Sequence, residues 1–313
     1  MKNWKKWLST VLFAAMIALL AWYLYANRAD LSRLFKLDVP TVLWMLVLAL
    51  GACTLNCVYH KLILDTYHVP LDAVDWLGVV YVANAIAYVL PMRADLVFSA
   101  TYYKRTKGLE YVKSASMAAG NIVFSVLFAL IQMLAALVCT GLLQGVWPRA
   151  LWLIWLIGAA CMTVFLVMAL WFRDRMPAFL SRIAIVRRIV DGFCDLLTNR
   201  ALLWRLLVCL IVNNILHLLL YIACFRGIGM EVTLYQALFY NSVSRMLSLV
   251  AIVPGNIGIQ QAVMGAAGSL MGDVFQNGVA VSLLQSAALM IVYIIMGAAF
   301  GWPVWKKYQK GKA

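Results

Sequence analysis

Long runs of apolar residues alternate along the chain with shorter segments that hold most of the charged residues. Each long run can cross about 30 Å of hydrocarbon at about 1.5 Å per residue. The runs are continuous rather than alternating, so they predict spanning helices and not the strands of a barrel. The six long runs cover residues 7–26, 41–59, 114–143, 149–172, 201–225 and 278–302.

Two further apolar runs are interrupted by proline. Residues 76–90 stop at Pro91 and lead into PMRADLVFSATYY, and residues 233–253 stop at Pro254 and lead into PGNIGIQQA. A broken helix at membrane depth is tolerated only where it lines a cavity or is covered by protein, because unpaired backbone groups there are costly. The pattern predicts two re-entrant hairpins, and proline kinks in spanning helices are the alternative.

The order of the runs indicates two halves of opposite orientation. Residues 7–143 hold two spans, a hairpin and a span, and residues 149–302 repeat that order from the other side. We therefore expect an all-α polytopic membrane protein, a single domain over residues 1–313, with six spanning helices and two proline-broken re-entrant hairpins in two inverted repeats. Such repeats are typical of transporters that bind their substrate near the bilayer midplane. Residues 176–200 have amphipathic spacing and predict an interfacial helix, with a charged linker as the alternative.

The composition places the chain in the membrane class. It is 65% hydrophobic and 12% charged, with a mean hydropathy of +0.90, which excludes an ordinary soluble domain. The net charge of +14 comes from basic residues beside the apolar runs. The positive-inside rule explains this distribution without a nucleic-acid partner, and direct attraction to anionic headgroups is the alternative. We expect both termini in the cytoplasm.

Arg245 is the residue whose position most strongly suggests chemistry. It lies within the apolar run before Pro254, with no acidic residue within a helical turn. A charge at that depth is a functional candidate, and a guanidinium suits phosphate; snorkelling to an interface is the alternative. Arg93 follows the first break, where it faces either a binding site or the cytoplasm, and Asp95 is placed to pair with it.

Polar residues near the second break extend this hypothesis. Gly255 and Gly258 permit tight turning, and the helix expected after them has free N–H groups that suit an anion. We expect the amide side chains within the apolar runs either to line a cavity or to join helices by hydrogen bonds. The candidate substrate-binding residues are Arg93, Asp95, Asn213, Asn214, His217, Arg245, Pro254, Gly255, Asn256, Gly258, Gln260 and Gln261.

Signals for catalysis are poor. No Walker A sequence, H-E-x-x-H or G-x-S-x-G motif is present, and the 12 acidic residues are scattered mainly in loops. Most of the seven cysteines fall within apolar runs, without other ligands at metal-binding spacing. We expect no enzyme activity, no metal and no cofactor. The spacing of Gly297 and Gly301 predicts close helix packing.

Two segments resemble a known family. PGNIGIQQAVMGAAGSLMG is similar to the P-G-G-x-G-x-x-E-A signature of the lysylphosphatidylglycerol synthase transmembrane region, also called the flippase-like domain family. PMRADLVFSATYYKRTKGLEYVKSAS resembles the earlier P-x-[RK]-x-G-E-x-x-R segment of that family. The resemblance covers essentially the whole chain. This chain departs from the family at five positions of the two segments. Asp95 and Asn256 stand where the family has glycine, Leu96 and Gln261 where it has glutamate, and Ser99 where it has arginine.

The resemblance implies a stand-alone member that moves a phospholipid or glycolipid between the leaflets of a bacterial cytoplasmic membrane. Because this chain ends at Ala313, we expect the aminoacyl-transfer activity of the full-length synthases to be absent. The alternatives are a transporter for a soluble anion, a membrane-embedded lipid-modifying transferase and a non-catalytic assembly partner. A second copy of the chain or a lipid-synthesis protein remains open as a partner.

Overall fold

The computed structural model describes residues 25, 37–90, 93–145, 147–175, 199–247 and 253–311. The described residues fold into nine α-helices. In chain order these are α1 (Val39–Asp65), α2 (Val79–Val89), α3 (Ala94–Lys107), α4 (Tyr111–Gln144), α5 (Arg149–Arg175), α6 (Arg200–Gly227), α7 (Leu234–Leu247), α8 (Ile259–Leu270) and α9 (Phe275–Lys310). A π-helical segment, Val74–Gly78, leads into α2, and a 3-10 turn, Pro254–Asn256, precedes α8.

Five of the helices, α1, α4, α5, α6 and α9, are long and apolar enough to cross a membrane. They coincide with five of the six predicted spans, so the protein is a polytopic helical membrane protein. The remaining predicted span, residues 7–26, lies outside the described residues apart from Tyr25. The predicted interfacial helix at residues 176–200 does too, apart from its last two residues. Of these, Asn199 caps α6 by accepting a hydrogen bond from the N–H of Leu202, 3.1 Å away.

The helix is interrupted, rather than bent, at both predicted breaks. After α2, Leu90 is extended, with φ −111° and ψ 138°, and Arg93 is left-handed before α3 begins. Pro91 itself lies outside the described residues. After α7, the chain is described again from the extended Val253, and the 3-10 turn that begins at Pro254 separates it from α8. Proline kinks in otherwise continuous helices are therefore wrong for both positions.

Each pair of short helices folds back on itself. In the first pair, Tyr103 near the end of α3 donates to the backbone oxygen of Asp75, 2.8 Å away, just before α2. In the second pair, the Tyr240 hydroxyl of α7 donates to Asp273 Oδ2, 3.1 Å away, just after α8. We call the two pairs the first hairpin (α2 and α3) and the second hairpin (α7 and α8). Each break lies at the tip of its hairpin.

The hairpins pack against spans that lie far from them in the sequence, and α8 also packs against its neighbour α9. The first hairpin packs through α2 against α9, and the second packs through α7 against α4. Of all pairs of described helices, α1 and α6 make the most extensive contact with each other. The tip of the first hairpin also contacts the 3-10 turn at the tip of the second. This crossing brings the two breaks together inside an otherwise apolar bundle.

A buried carboxylate joins the first hairpin to the end of α9. Asp75 has no exposed surface, and its oxygens lie 2.7 Å from Lys107 Nζ and 3.3 Å from Lys307 Nζ. The Tyr102 hydroxyl donates to it over 2.9 Å. Burial opposes ionisation of Asp75, but hydrogen bonds from Lys107, the Asp72 backbone and Tyr102 outweigh it and hold the pKa below its usual 3.8. The cluster therefore ties α3, the π-helical segment and α9 together.

Candidate functional site

A polar cavity of about 310 Å³ lies where the tips of the two hairpins meet. Every described helix except α5 contributes side chains to it. Amides dominate its polar lining, and two guanidiniums and two imidazoles accompany them. The amide residues are Asn56, Asn84, Asn121, Asn213, Asn241, Asn256, Gln260 and Gln285. The cavity therefore concentrates hydrogen-bonding groups within a largely apolar bundle.

Arg245 reaches this cavity from α7 and is oriented by two neighbouring residues of α6. Its Nε donates to Asn214 Oδ1 and its Nη2 donates to Asn213 Oδ1, each over 2.9 Å. Asn213 donates in turn to the backbone oxygen of Ala52 over 2.8 Å, and Asn241 donates to Asn214 over 2.8 Å. Amide oxygens carry no formal charge, so these contacts orient the guanidinium without neutralising it.

Arg93 brings a second guanidinium to the cavity from the other break. Its Nε lies 3.8 Å from Asp95 Oδ1, the pairing that the sequence predicted. Arg93 has a φ of 56° and Asn256 a φ of 53°, so a residue other than glycine adopts the left-handed conformation in the described part of each break. Such a conformation costs roughly 1–2 kcal/mol per residue and persists where the surroundings impose it. Both residues line the cavity.

The second break is stabilised by amide side chains. Asn256 donates from Nδ2 to the backbone oxygen of Leu247 over 3.1 Å, which joins the end of α7 to the 3-10 turn. Gln260 donates from Nε2 to Gln285 Oε1 over 3.0 Å and to Ser244 Oγ over 3.2 Å. These bonds connect the start of α8 to both α7 and α9.

The amino-terminal end of α8 is capped by its own chain. Gln261, which is 2% exposed, accepts a hydrogen bond from the N–H of Gly258 over 2.6 Å. One of the donors that the sequence assigned to an anion is therefore already occupied. Gly255 and Gly258 have φ values of 59° and 90°, so both make the tight turns expected of them.

The structure brings together seven of the twelve sequence-predicted residues. Those that line the cavity are Arg93, Asp95, Asn213, His217, Arg245, Asn256 and Gln260. The other five do not line it and are Asn214, Pro254, Gly255, Gly258 and Gln261. Asn214 orients Arg245, and Gln261 caps α8, so these two residues support the cavity from outside it.

Several cavity residues were missed by sequence reasoning. His60 lies one turn after Asn56 on α1, and Ser125 lies one turn after Asn121 on α4. This i, i+4 spacing of polar residues within an apolar run is a signal that marks a polar helix face. Tyr88 also lines the cavity, one turn after Asn84 on α2, and shows the same spacing.

The cavity can bind an anion with polar substituents. Guanidiniums donate paired hydrogen bonds to phosphate or carboxylate oxygens, and amides can both donate and accept. Within the described ranges, no cluster of three or more His, Cys, Asp or Glu residues is arranged to hold a metal ion. The lining groups therefore suit recognition by hydrogen bonding and charge.

Comparison with known proteins identifies a family. The model of the family described as the lysylphosphatidylglycerol synthase transmembrane region matches residues 7–297, which is nearly the whole chain. The match confirms the resemblance drawn from the two proline-containing segments. No curated protein and no solved structure matches the chain.

Proposed function

The chain belongs to the lysylphosphatidylglycerol synthase transmembrane-region family, and on that basis we propose that it moves a phosphate-bearing lipid between the leaflets of the membrane. The headgroup passes through the polar cavity, and the acyl chains stay in an apolar environment. The observation that carries this proposal is the pair of guanidiniums, Arg93 and Arg245, which the two breaks bring to one cavity.

The energetics of buried charge support a binding role for Arg245. A charged residue at membrane depth is costly and faces a polar interior. The asparagines at 213 and 214 fix the guanidinium in one orientation, so less freedom is lost when a phosphate binds. Arg93 supplies a second cation at the opposite break, and the surrounding amides supply hydrogen bonds to the rest of a headgroup.

The arrangement of the hairpins supports two inverted halves, each completed by three spans. The first hairpin closes beside Lys307, at the carboxyl-terminal end of α9. The second closes at Asp273, just before the opposite end of the same helix. In our proposal both hairpins are therefore re-entrant from opposite sides, and residues 7–26 form the sixth span. Their crossed packing on α4 and α9 has the symmetry that an inverted repeat requires.

The proposed location is a bacterial cytoplasmic membrane, with both termini in the cytoplasm. Basic residues support this orientation, because Lys104, Lys107, Lys113 and Lys307 gather at the end of the bundle where the first hairpin closes. Single cysteines introduced on this side should react with a membrane-impermeant reagent only after the cells are opened. Labelling of such cysteines in intact cells would mean that the orientation is the opposite of the one proposed.

Reconstitution tests the proposed transport. We expect purified protein in liposomes to move a fluorescent anionic phospholipid across the bilayer, as measured by the fraction accessible to an impermeant quencher. Arg245→Gln should slow this movement about tenfold or more, because a charge-assisted hydrogen bond is lost. Arg226→Gln is the matched control, since Arg226 is exposed at the end of α6. Equal rates for the parent and the Arg245 variant would reject the proposal.

The rival functions give different results in the same liposomes. A transporter of a soluble anion takes up inorganic phosphate without moving the lipid probe. A lipid-modifying transferase converts a lipid precursor into a new product, whereas we propose that no covalent change occurs. If the protein is an assembly partner, replacement of Arg245 leaves its function unchanged. It then copurifies with a lipid-synthesis protein or a second copy of the chain.

A further inference from the structure

A second cavity, of about 730 Å³, adjoins the polar one. It lies between α3 and α4, against α1 and α2. The two cavities have a common wall, so a ligand that fills both would pass along the same side chains. The shared lining residues are His60, Asn84, Asp95, Leu96, Asn121 and Ile122.

Beyond the shared wall, the lining of the second cavity is small and largely apolar. Ala100 on α3 and Ala115, Ala118 and Ala119 on α4 line it, and Ala83 on α2 extends the same surface. Small side chains on two neighbouring helices leave a slot between them. Apolar atoms make up most of the lining surface, although the hydroxyl residues Ser99, Thr101 and Ser114 also line the slot, so it suits a hydrocarbon chain rather than an ion.

The slot also reaches the outer surface of the bundle. Val97 and Tyr111 line it, and they are 66% and 48% exposed. Lys104 lies beside this opening, with its Nζ 4.2 Å from the centroid of the Tyr111 ring. Cations near a membrane surface attract anionic lipids, so the opening combines an apolar floor with an attractive charge for a headgroup.

We infer that the slot between α3 and α4 is an acyl-chain site, through which a lipid reaches the polar cavity from the side. This inference rests on the proposed function and adds the path of the chain to it. The headgroup turns inward past Asp95, which lines both cavities, and comes to Arg93 and Arg245. The chain stays in the slot, because a hydrocarbon has no favourable place among the amides.

Occlusion of the slot tests this path. Ala118→Trp should slow movement of a two-chain phospholipid at least tenfold, while binding of a soluble glycerophosphodiester without acyl chains stays within twofold of the parent. Ile131→Trp is the control on the same helix, because Ile131 is 64% exposed and lies outside the slot. Unchanged lipid movement in Ala118→Trp would overturn the inference. Equal loss of glycerophosphodiester binding would overturn it too, by assigning Ala118 to packing.

Photo-crosslinking tests the same site without transport and without a substitution. A phospholipid with a diazirine near the end of its acyl chain should label peptides of α3 and α4 that contain Ala100 and Ala118. A long-chain alcohol with the same diazirine should label them at least fivefold less, and equal labelling by the alcohol would mean an unspecific apolar surface. If the protein moves lipid but these peptides are not labelled, the acyl-chain site is rejected and the transport function stands. If the peptides are labelled but the protein moves no lipid, the transport function is rejected and the acyl-chain site stands.

Discussion

Tyr88, on the last turn of α2, lies directly against Gly255 in the turn before α8. A Cβ atom placed on Gly255 would lie 2.5 Å from Tyr88 Cδ1, closer than any non-bonded carbon contact allows. The φ of Gly255 is 59°, in the region that favours glycine. The two breaks in the helices therefore touch at a point that only glycine fits.

Substitution of Gly255 should separate the effect of its backbone conformation from the effect of its contact with Tyr88. We expect Gly255→Ala to lower stability by about 1–2 kcal/mol for the left-handed backbone, with a further loss from the clash with Tyr88. Tyr88→Ala in the same chain removes Cδ1 and should relieve the clash but not the backbone strain, so the two changes are not additive. Thermal unfolding of the four proteins in detergent measures the coupling. Additive losses would show that the two breaks do not touch.

Much of the architecture follows from local sequence. Runs of apolar residues predict the five described spans, and Pro254 with Gly255 predicts the second break, because both depend on properties of neighbouring residues. The position of Arg245 in a polar cavity was also expected from local sequence, since a charged residue within an apolar run needs polar surroundings. The inverted halves remain a prediction.

The remaining features depend on contacts between distant segments. Asp75 and Lys307 are far apart in sequence, and nothing near either residue indicates that they meet. The asparagines that orient Arg245 were predicted to bind substrate directly, and only the packing of α6 on α7 reveals that they hold another side chain. The cap that Gln261 forms on α8 is local, but the sequence pattern alone did not indicate it, and its predicted contact with substrate stays a prediction.

The orientation of Arg245 has a consequence for conservative replacement. Arg245→Lys keeps the charge, but an ammonium lacks the planar fork that contacts Asn213 and Asn214 together. We expect it to lose most of the headgroup affinity, about tenfold, in titrations with the soluble glycerophosphodiester. As a control, Arg226→Lys should bind like the parent. Full affinity in Arg245→Lys would mean that charge alone is recognised.

The buried ion cluster should stabilise the fold more than an exposed pair does. Asp75→Asn removes the charge that faces Lys107 and Lys307 but retains a partner for Tyr102, and we expect a loss of about 1–3 kcal/mol. Asp65→Asn is the matched control, because Asp65 forms an exposed pair with Lys61 over 2.6 Å. The control should change stability by less than about 1 kcal/mol. Equal effects in thermal unfolding would contradict a special role for the cluster.

The same cluster predicts a pH dependence. The pKa of Asp75 is lower in the folded protein than its usual 3.8, so the carboxylate stabilises the fold above that value. Above about pH 5 the difference in stability between the parent and Asp75→Asn should stay constant. It should shrink as the pH falls below 3.8 and Asp75 becomes protonated in the folded state. Unfolding temperatures across this range measure the effect, and a difference that grows on acidification would contradict it.

Two glycines one turn apart on α9 should respond differently to enlargement. A Cβ atom on Gly297 would lie 2.7 Å from the Cβ of Ala85 on α2, whereas a Cβ atom on Gly301 would meet nothing within 4 Å. We expect Gly297→Val to lower stability by about 1–3 kcal/mol through overpacking. Gly301→Val should be nearly neutral. Similar unfolding temperatures for both variants would mean that α2 does not approach α9 closely.

The crossed packing of the hairpins sets the order in which the protein can be completed during synthesis. Ala85 and Gly297 are about 210 residues apart in sequence. At about 5–20 residues per second, the ribosome needs roughly 10–40 s to make the second after the first. For that time α2 has no α9 to pack against, so its interrupted helix must be held by lipid, by the insertion machinery or by a chaperone.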